Sequence, residues 1–310
     1  MASNELLMDD IETNNVITKE MKSYRRRARK EVYAKYMFLL AALVSIFAVG
    51  VICVFLLANG IPAMKKIGLF NFLLGEKWKP NNIPASYGIF PFILGSIYIT
   101  AGAVIMGVPI GILTAVFMAR FCPKRIYRVM KSAIDLLAGI PSIVYGFFGV
   151  MIIVPFVSNV FGGNGNSILT ASILLGIMIL PTIVSVSEAA IRAVPDSYYE
   201  GALALGASHE RSVFFTILPV AKSGIMAGVI LGIGRAIGET MAVIMVAGNN
   251  TRMPKGILKG VRTMTANIVM EMGYAADLHR EALIATAVVL FVFILIINLC
   301  FSFIKRRSNI

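Results

Sequence analysis

Two ionisable residues sit in a stretch otherwise suited to hydrocarbon: Arg235 and Glu239, in Gly234-Arg-Ala-Ile-Gly-Glu-Thr-Met-Ala242, within an apolar run over 223–246. Residues four apart on a helix share a face. Each charge costs about 2.5–3.5 kcal/mol at the centre of an isolated membrane helix on insertion scales, so an apolar residue would serve the fold better. Mutual support does not explain them, because Arg preceding Glu is the weaker order for an (i, i+4) pair, worth only about a few tenths of a kcal/mol. Ionisable groups inside a membrane line pathways. A guanidinium fork matches the oxygens of phosphate or carboxylate, while a carboxylate repels a fully deprotonated anion. Hydrogen phosphate escapes that repulsion by accepting from Arg235 and donating its own proton to Glu239, whereas sulfate has no proton to give. Arg235 and Glu239 are therefore the expected substrate-path residues.

A second constellation is Glu200-Gly-Ala-Leu-Ala-Leu-Gly-Ala-Ser208, followed by Phe214-Phe-Thr-Ile-Leu-Pro219. Glu200 to Leu205 is rich in helix formers, Gly206 offers a break, His209 to Phe215 supports a second turn of helix, and Pro219 should end it. Two short helices at an angle would fit a groove on a cytoplasmic partner or lie on the membrane as an interfacial element.

The elements that must position these residues are membrane helices. The chain has 310 residues, is 58% hydrophobic and only 15% charged, and has a mean hydropathy of +0.82, more apolar than a soluble core can absorb. Spans are expected at 36–57, 89–118, 132–156, 167–186, 223–246 and 283–304, since about 20 helical residues cross a hydrocarbon layer of roughly 30 Å. The expected organisation is a basic cytoplasmic segment over 1–35, a transmembrane domain over 36–304 with a cytoplasmic loop over 187–222, and a basic tail over 305–310. The net charge of +13 fits this arrangement better than nucleic-acid binding, because nineteen Lys and Arg fall in the segments read as inner and nine in those read as outer. Both termini are thus expected in the cytoplasm. The loop between the last two spans departs from the trend with Arg252, Lys255, Lys259, Arg262 and Arg280; a long loop escapes the charge rule, and the competing readings are a reversed last hairpin or a loop that attracts an anion or a partner. Gly224, Gly228 and Gly232 form a stripe that continues to Ala236 and Thr240 and lets a neighbouring backbone approach.

The spacing of Glu200, Ala202, Gly206, Leu218 and Pro219 resembles the EAA loop of ABC-importer permeases, with Gly201 and Thr216 as departures from the pattern. The likeness implies docking onto a separate ATPase subunit. Within that family the chain resembles the C-type (PstC-like) permeases of phosphate-specific transport systems, through Leu136-Leu-Ala-Gly-Ile-Pro-Ser-Ile-Val-Tyr-Gly-Phe-Phe-Gly149 and Gly232-Ile-Gly-Arg-Ala-Ile-Gly-Glu-Thr-Met-Ala-Val243. The resemblance implies an all-α integral membrane protein of MetI-like fold in the cell (inner or plasma) membrane. It also implies an A-type permease partner, an ATPase dimer and an extracytoplasmic phosphate-binding protein, with Arg235 and Glu239 on the phosphate path.

No Gly-x-x-x-x-Gly-Lys-Ser/Thr loop is present, so ATP hydrolysis belongs to another polypeptide, and no catalytic residue, cofactor or metal is expected here. Cys53, Cys122 and Cys300 are too scattered for a disulfide framework or a zinc site. His209 and His279 are read as ordinary loop residues, Gly162-Gly-Asn-Gly-Asn166 as a turn, and 67–74 as a short interfacial helix. Two readings compete with phosphate import: a permease for molybdate or sulfate, which would not require the carboxylate, and a secondary transporter or channel needing no ATPase.

Overall fold

The computed structural model describes the backbone of residues 2–307 and the side chains of residues 31–300 and Phe303. The side chains of the basic segment before residue 31 and of the 305–310 tail lie outside the described residues. In chain order the helices are α1 (Ala2–Ile67), α2 (Leu69–Leu74), α3 (Phe90–Val116), α4 (Lys124–Gly139), α5 (Ser142–Phe148), α6 (Val154–Phe161) and α7 (Ile168–Arg192). There follow α8 (Asp196–Ala204), α9 (His209–Ser212), α10 (Leu218–Gly238), α11 (Met241–Val246), α12 (Met264–Met272) and α13 (Asp277–Arg307). A two-stranded antiparallel hairpin, β1 (Trp78–Lys79) and β2 (Ser86–Tyr87), pairs Trp78 with Tyr87. Among the described residues six helical stretches are long and apolar enough to cross a membrane: Glu31–Ile67, Phe90–Phe121, Ser142–Phe161, Ile168–Arg192, His209–Gly238 and Asp277–Cys300.

The chain divides into two units, Met1–Leu56 and Leu57–Ile310. The first is the amino-terminal part of α1. From Glu31 onward it carries apolar residues on all sides, with Phe38, Leu40, Phe47 and Val54 exposed, as a lipid-facing span does.

The second unit is organised around α7, which packs against both α3 and α10. Glycine brings these helices together. A Cβ at Gly111 of α3 would stand 2.8 Å from the Ile183 side chain, and so would one at Gly232 of α10. Ile183 is therefore clamped between two glycines on two helices and has no exposed surface. Gly228 faces Ser187 and Val186 in the same way, and Gly224 faces Ala190, so the small-residue stripe does carry α10 onto α7.

Three expectations from sequence are corrected. The third crossing helix begins at Ser142, because Gly139 and Pro141 end α4, and 132–139 belongs to that separate amphipathic helix. The fifth stretch is not continuous over 223–246: α10 stops at Gly238 and α11 starts at Met241, so Thr240 leaves the helical stripe. Pro219 does not end a helix either. A π-helical turn over Val213–Ile217 precedes it, with Leu218 N–H bonded to Val213 O, and that widened turn makes room for the proline ring inside a helix running unbroken from His209 to Gly238.

The expected turn and short helix are present. Gly162, Gly163 and Gly165 all have positive φ, and α2 is a six-residue helix with Phe72 buried and Phe70 exposed.

Candidate functional site

The break after α10 is built from the side chain of Glu239. Its backbone is extended (φ −68°, ψ 133°), and its Oε1 accepts hydrogen bonds from the N–H groups of Thr240 (3.1 Å) and Ala242 (3.2 Å). Glu239, one residue before the N-cap Thr240, thus satisfies two free N–H groups at the start of α11 with its side chain. The freed carbonyls are also satisfied: Thr240 Oγ1 donates to Gly238 O (3.2 Å), and Thr265 Oγ1 from α12 donates to Glu239 O (3.1 Å). Irregular backbone survives at membrane depth when it is buried in protein or lines a water-filled cavity, with its polar groups paired.

Arg235 lies one turn before this break. It is exposed and forms no ion pair or hydrogen bond among the described residues. Because Glu239 has left the helix, the two residues do not share a helical face and do not form a salt bridge. Glu239 is half-buried, with Oε1 committed to the cap and no bond to Oε2 among the described residues. The pair therefore offers a free guanidinium and one free carboxylate oxygen, with neither neutralising the other. Sequence reasoning missed the cap because a Glu one residue ahead of the N-cap is not a usual capping signal.

A second break flanks the first. Gly139, Ile140 and Pro141 separate α4 from α5, and Tyr145 Oη donates to Leu137 O (2.8 Å) across it. The helices following the two breaks, α5 and α11, lie against each other. A Cβ at Gly146 would stand 2.6 Å from Met245 Sδ and 3.1 Å from Ala242 Cα. Tyr145 is within electrostatic reach of Arg235. The stretches Leu136–Gly149 and Gly232–Val243, far apart in sequence, thus meet around one pair of helix interruptions.

The Glu200–Pro219 segment lies at the other end of α7 and α10. Gly206 has φ +81°, its N–H bonds Leu203 O (2.9 Å), and Ala207 N–H bonds Ala202 O (3.1 Å), a Schellman ending for α8. Ser208 Oγ then accepts from Arg211 N–H (3.3 Å) to start α9. Glu200, Gly201 and Pro219 are exposed, Ala202 and Leu218 half-buried. Leu205 (91% exposed) and Phe215 (77%) leave a bare apolar tip. His209 is no ordinary loop residue: it opens α9, its Nδ1 is 2.8 Å from Tyr199 Oη, and its ring meets Phe121 edge-on at 4.7 Å.

Sequence reasoning also missed the charges that hold this end. Glu188, 3% exposed in α7, accepts from Tyr127 Oη (2.7 Å), Arg192 Nε (2.7 Å) and Lys131 Nζ (3.3 Å). Arg192 also donates to Met118 O (2.8 Å) and lies over the Tyr127 ring. Arg120 reaches Asp196 in the first turn of α8 (3.0 Å). The end of α3, α4, α7 and α8 are tied together by charge. The signal available was Glu188 four residues before Arg192, the favourable order for a helical pair.

At the opposite end, Glu271 of α12 is 6% exposed and binds Arg262 Nη1, Trp78 Nε1 (2.8 Å) and His279 Nε2 (2.8 Å). Arg262 is therefore an internal strut and not a free loop charge. His279 is a buried member of the first turn of α13 and not a loop residue. Among the described residues no group of His, Cys, Asp and Glu is arranged to hold a metal.

Residues 107–309 match the model of the family described as binding-protein-dependent transport system inner membrane component. The probable ABC transporter permease protein YqgH of Bacillus subtilis is 33% identical over 98% of this chain and 100% of its own. Phosphate transport system permease proteins PstC are similar as well: that of Mesorhizobium japonicum is 33% identical over 81% of this chain and 83% of its own, and that of Xylella fastidiosa 32% over 90% and 93%. Among solved structures, a bacterial alginate ABC transporter chain covers 90% of this chain and 96% of its own with a TM-score of 0.62 at 15% identity. A chain of the MetNI methionine ABC transporter covers 70% and 94% with a TM-score of 0.57 at 18% identity. Both share the fold.

Proposed function

Because the chain belongs to the binding-protein-dependent transport system inner membrane component family and is an ABC importer permease, we propose that it carries inorganic phosphate and that Arg235 and Glu239 handle the anion. The observation that carries this reading is the uncompensated Arg235, exposed on the bare chain one turn before a helix break whose carboxylate keeps a free oxygen. An unpaired guanidinium facing lipid would be costly, so this face of α10 turns toward a water-filled path or a partner chain. A second permease of the A-type closes that path, an extracytoplasmic phosphate-binding protein delivers the anion, and both termini lie in the cytoplasm. The similarity to PstC proteins supports the cargo.

Hydrogen phosphate accepts from the Arg235 fork and donates its proton to Glu239 Oε2, while Oε1 continues to hold the start of α11. The α8–α9 tip, with Leu205 and Phe215 bare, is the docking element for an ATPase dimer. His209–Gly238 is one continuous helix of roughly 45 Å, so Phe215 of the docking tip and Arg235 lie on the same helix. ATP-driven closure of the ATPase pair then reaches the anion site along that helix.

Uptake of radiolabelled phosphate by the reconstituted transporter tests the reading. Arg235→Gln should lower uptake at least about tenfold, as expected for a lost charge-assisted fork. Molybdate and sulfate in excess should compete poorly. Unchanged uptake in both Arg235→Gln and Glu239→Gln would refute the site, and strong competition by either anion would refute the cargo.

A further inference from the structure

An apolar groove of about 510 Å³ runs between α3 and the first turn of α7, away from the anion site and from the docking tip. Ala101, Ile105 and Met106 of α3 and Leu169 of α7 line it, and Pro254 and Ile257 of the α11–α12 connection close it above. The hydroxyl of Ser172, also on its wall, is spent on Ile99 O (3.2 Å). Along α3 the groove extends from Tyr98 to Met106, about 12 Å at the helical rise, close to the hydrocarbon depth of one leaflet.

The roof is fixed to α7. Lys259 O accepts from Ile168 N–H (3.1 Å), and Ile257 O accepts from Leu169 N–H (2.9 Å). It presents an exposed apolar side chain, Ile257, between two exposed lysines, Lys255 and Lys259. Neither lysine has an ion-pair partner among the described residues, and no acidic residue lines the groove. Apolar walls beside a roof segment whose flanking residues Lys255 and Lys259 are exposed and unneutralised match a molecule with a hydrocarbon chain and an anionic head better than a free anion.

We propose that this groove seats an anionic phospholipid, with an acyl chain between α3 and α7 and its phosphate on Lys255 and Lys259. The site is independent of the transport reading.

The test uses the full-length chain with its copurifying subunits in lipid nanodiscs, probed with phosphatidylglycerol or phosphatidylcholine bearing a photoreactive acyl chain. Labelled peptides are then mapped by mass spectrometry. Labelling of 98–106 and 254–257 should be on the order of tenfold stronger with phosphatidylglycerol. Lys255→Gln with Lys259→Gln should bring it down to the phosphatidylcholine level. Ala101→Trp, at an exposed position, fills the groove and should abolish labelling by either lipid. Equal labelling by the two lipids in the wild type overturns the proposal, as does labelling that survives Ala101→Trp. Cross-links from these segments to another membrane subunit would make the occupant a protein, and displacement of the lipid by inorganic phosphate would make it a free anion. Either result overturns the proposal.

Discussion

Glu239 holds two duties in one carboxylate, a cap through Oε1 and an unbonded Oε2, and substitutions separate them. Glu239→Gln keeps an oxygen for the cap and should leave thermal stability within about 0.5 kcal/mol while lowering phosphate uptake. Glu239→Ala removes the cap as well and should cost about 1 kcal/mol in addition. Detergent melting curves beside uptake assays read the two effects apart. Glu188 has a different role, since it is buried against three donors. Glu188→Ala should cost about 2–3 kcal/mol, less than for a fully buried pair because Lys131 and Arg192 are each about a third or more exposed. The sequence made Arg235 and Glu239 conspicuous as charges in an apolar run but concealed their relation. Helical spacing implied a shared face, and a tertiary bond from Thr265 together with a carboxylate cap converted the second residue into the end of the helix. Glu188 went unnoticed because it stands just beyond the apolar run, where a charge looks solvated.

Three of the helices carry the mechanical argument. Gly206, at φ +81°, lets α8 turn back into α9, and any residue with a Cβ is strained there. Gly206→Val should leave membrane insertion intact while ATP hydrolysis by the copurified complex no longer tracks uptake. Hydrolysis and transport remaining in step would remove the α8–α9 docking element from the coupling path. At the centre, Gly232→Leu would drive a side chain into Ile183 and should cost about 1–3 kcal/mol, read as a lower melting temperature. The glycine stripe on α10 was legible because a four-residue repeat of small residues has one common use in membranes. The start of the third crossing helix was not: apart from Asp135 the stretch 132–156 carries no charge, and only Pro141 after Gly139 marks where one helix ends and another begins. The Pro219 error has the same root. A π-helical turn absorbs a proline that sequence rules treat as a terminator.

Across the whole molecule, the two ends of the bundle differ in kind. One carries an exposed apolar tip braced by Glu188, Arg192 and Arg120; the other carries a hairpin and a connecting loop stitched to α12 and α13 through Glu271. The proposed sidedness predicts that a single cysteine replacing Leu205, in a cysteine-free background, reacts with an impermeant thiol reagent only from the cytoplasmic face. Reaction from outside would invert the topology. The number of crossing helices was legible because hydrocarbon thickness sets a length that apolar runs must meet. The bracing of each end was not, because the near pairs Glu188–Arg192 and Glu271–His279 become braces only through partners more than fifty residues away, Tyr127 and Lys131 for Glu188 and Trp78 for Glu271. The β1–β2 hairpin has a practical consequence. Trp78 is the chain's only tryptophan, it is 5% exposed, and its indole N–H is held by Glu271. Tryptophan emission from this chain is therefore a single-site optical gauge, silent about the Leu205 end and sensitive to whatever loosens or seats the hairpin against α12.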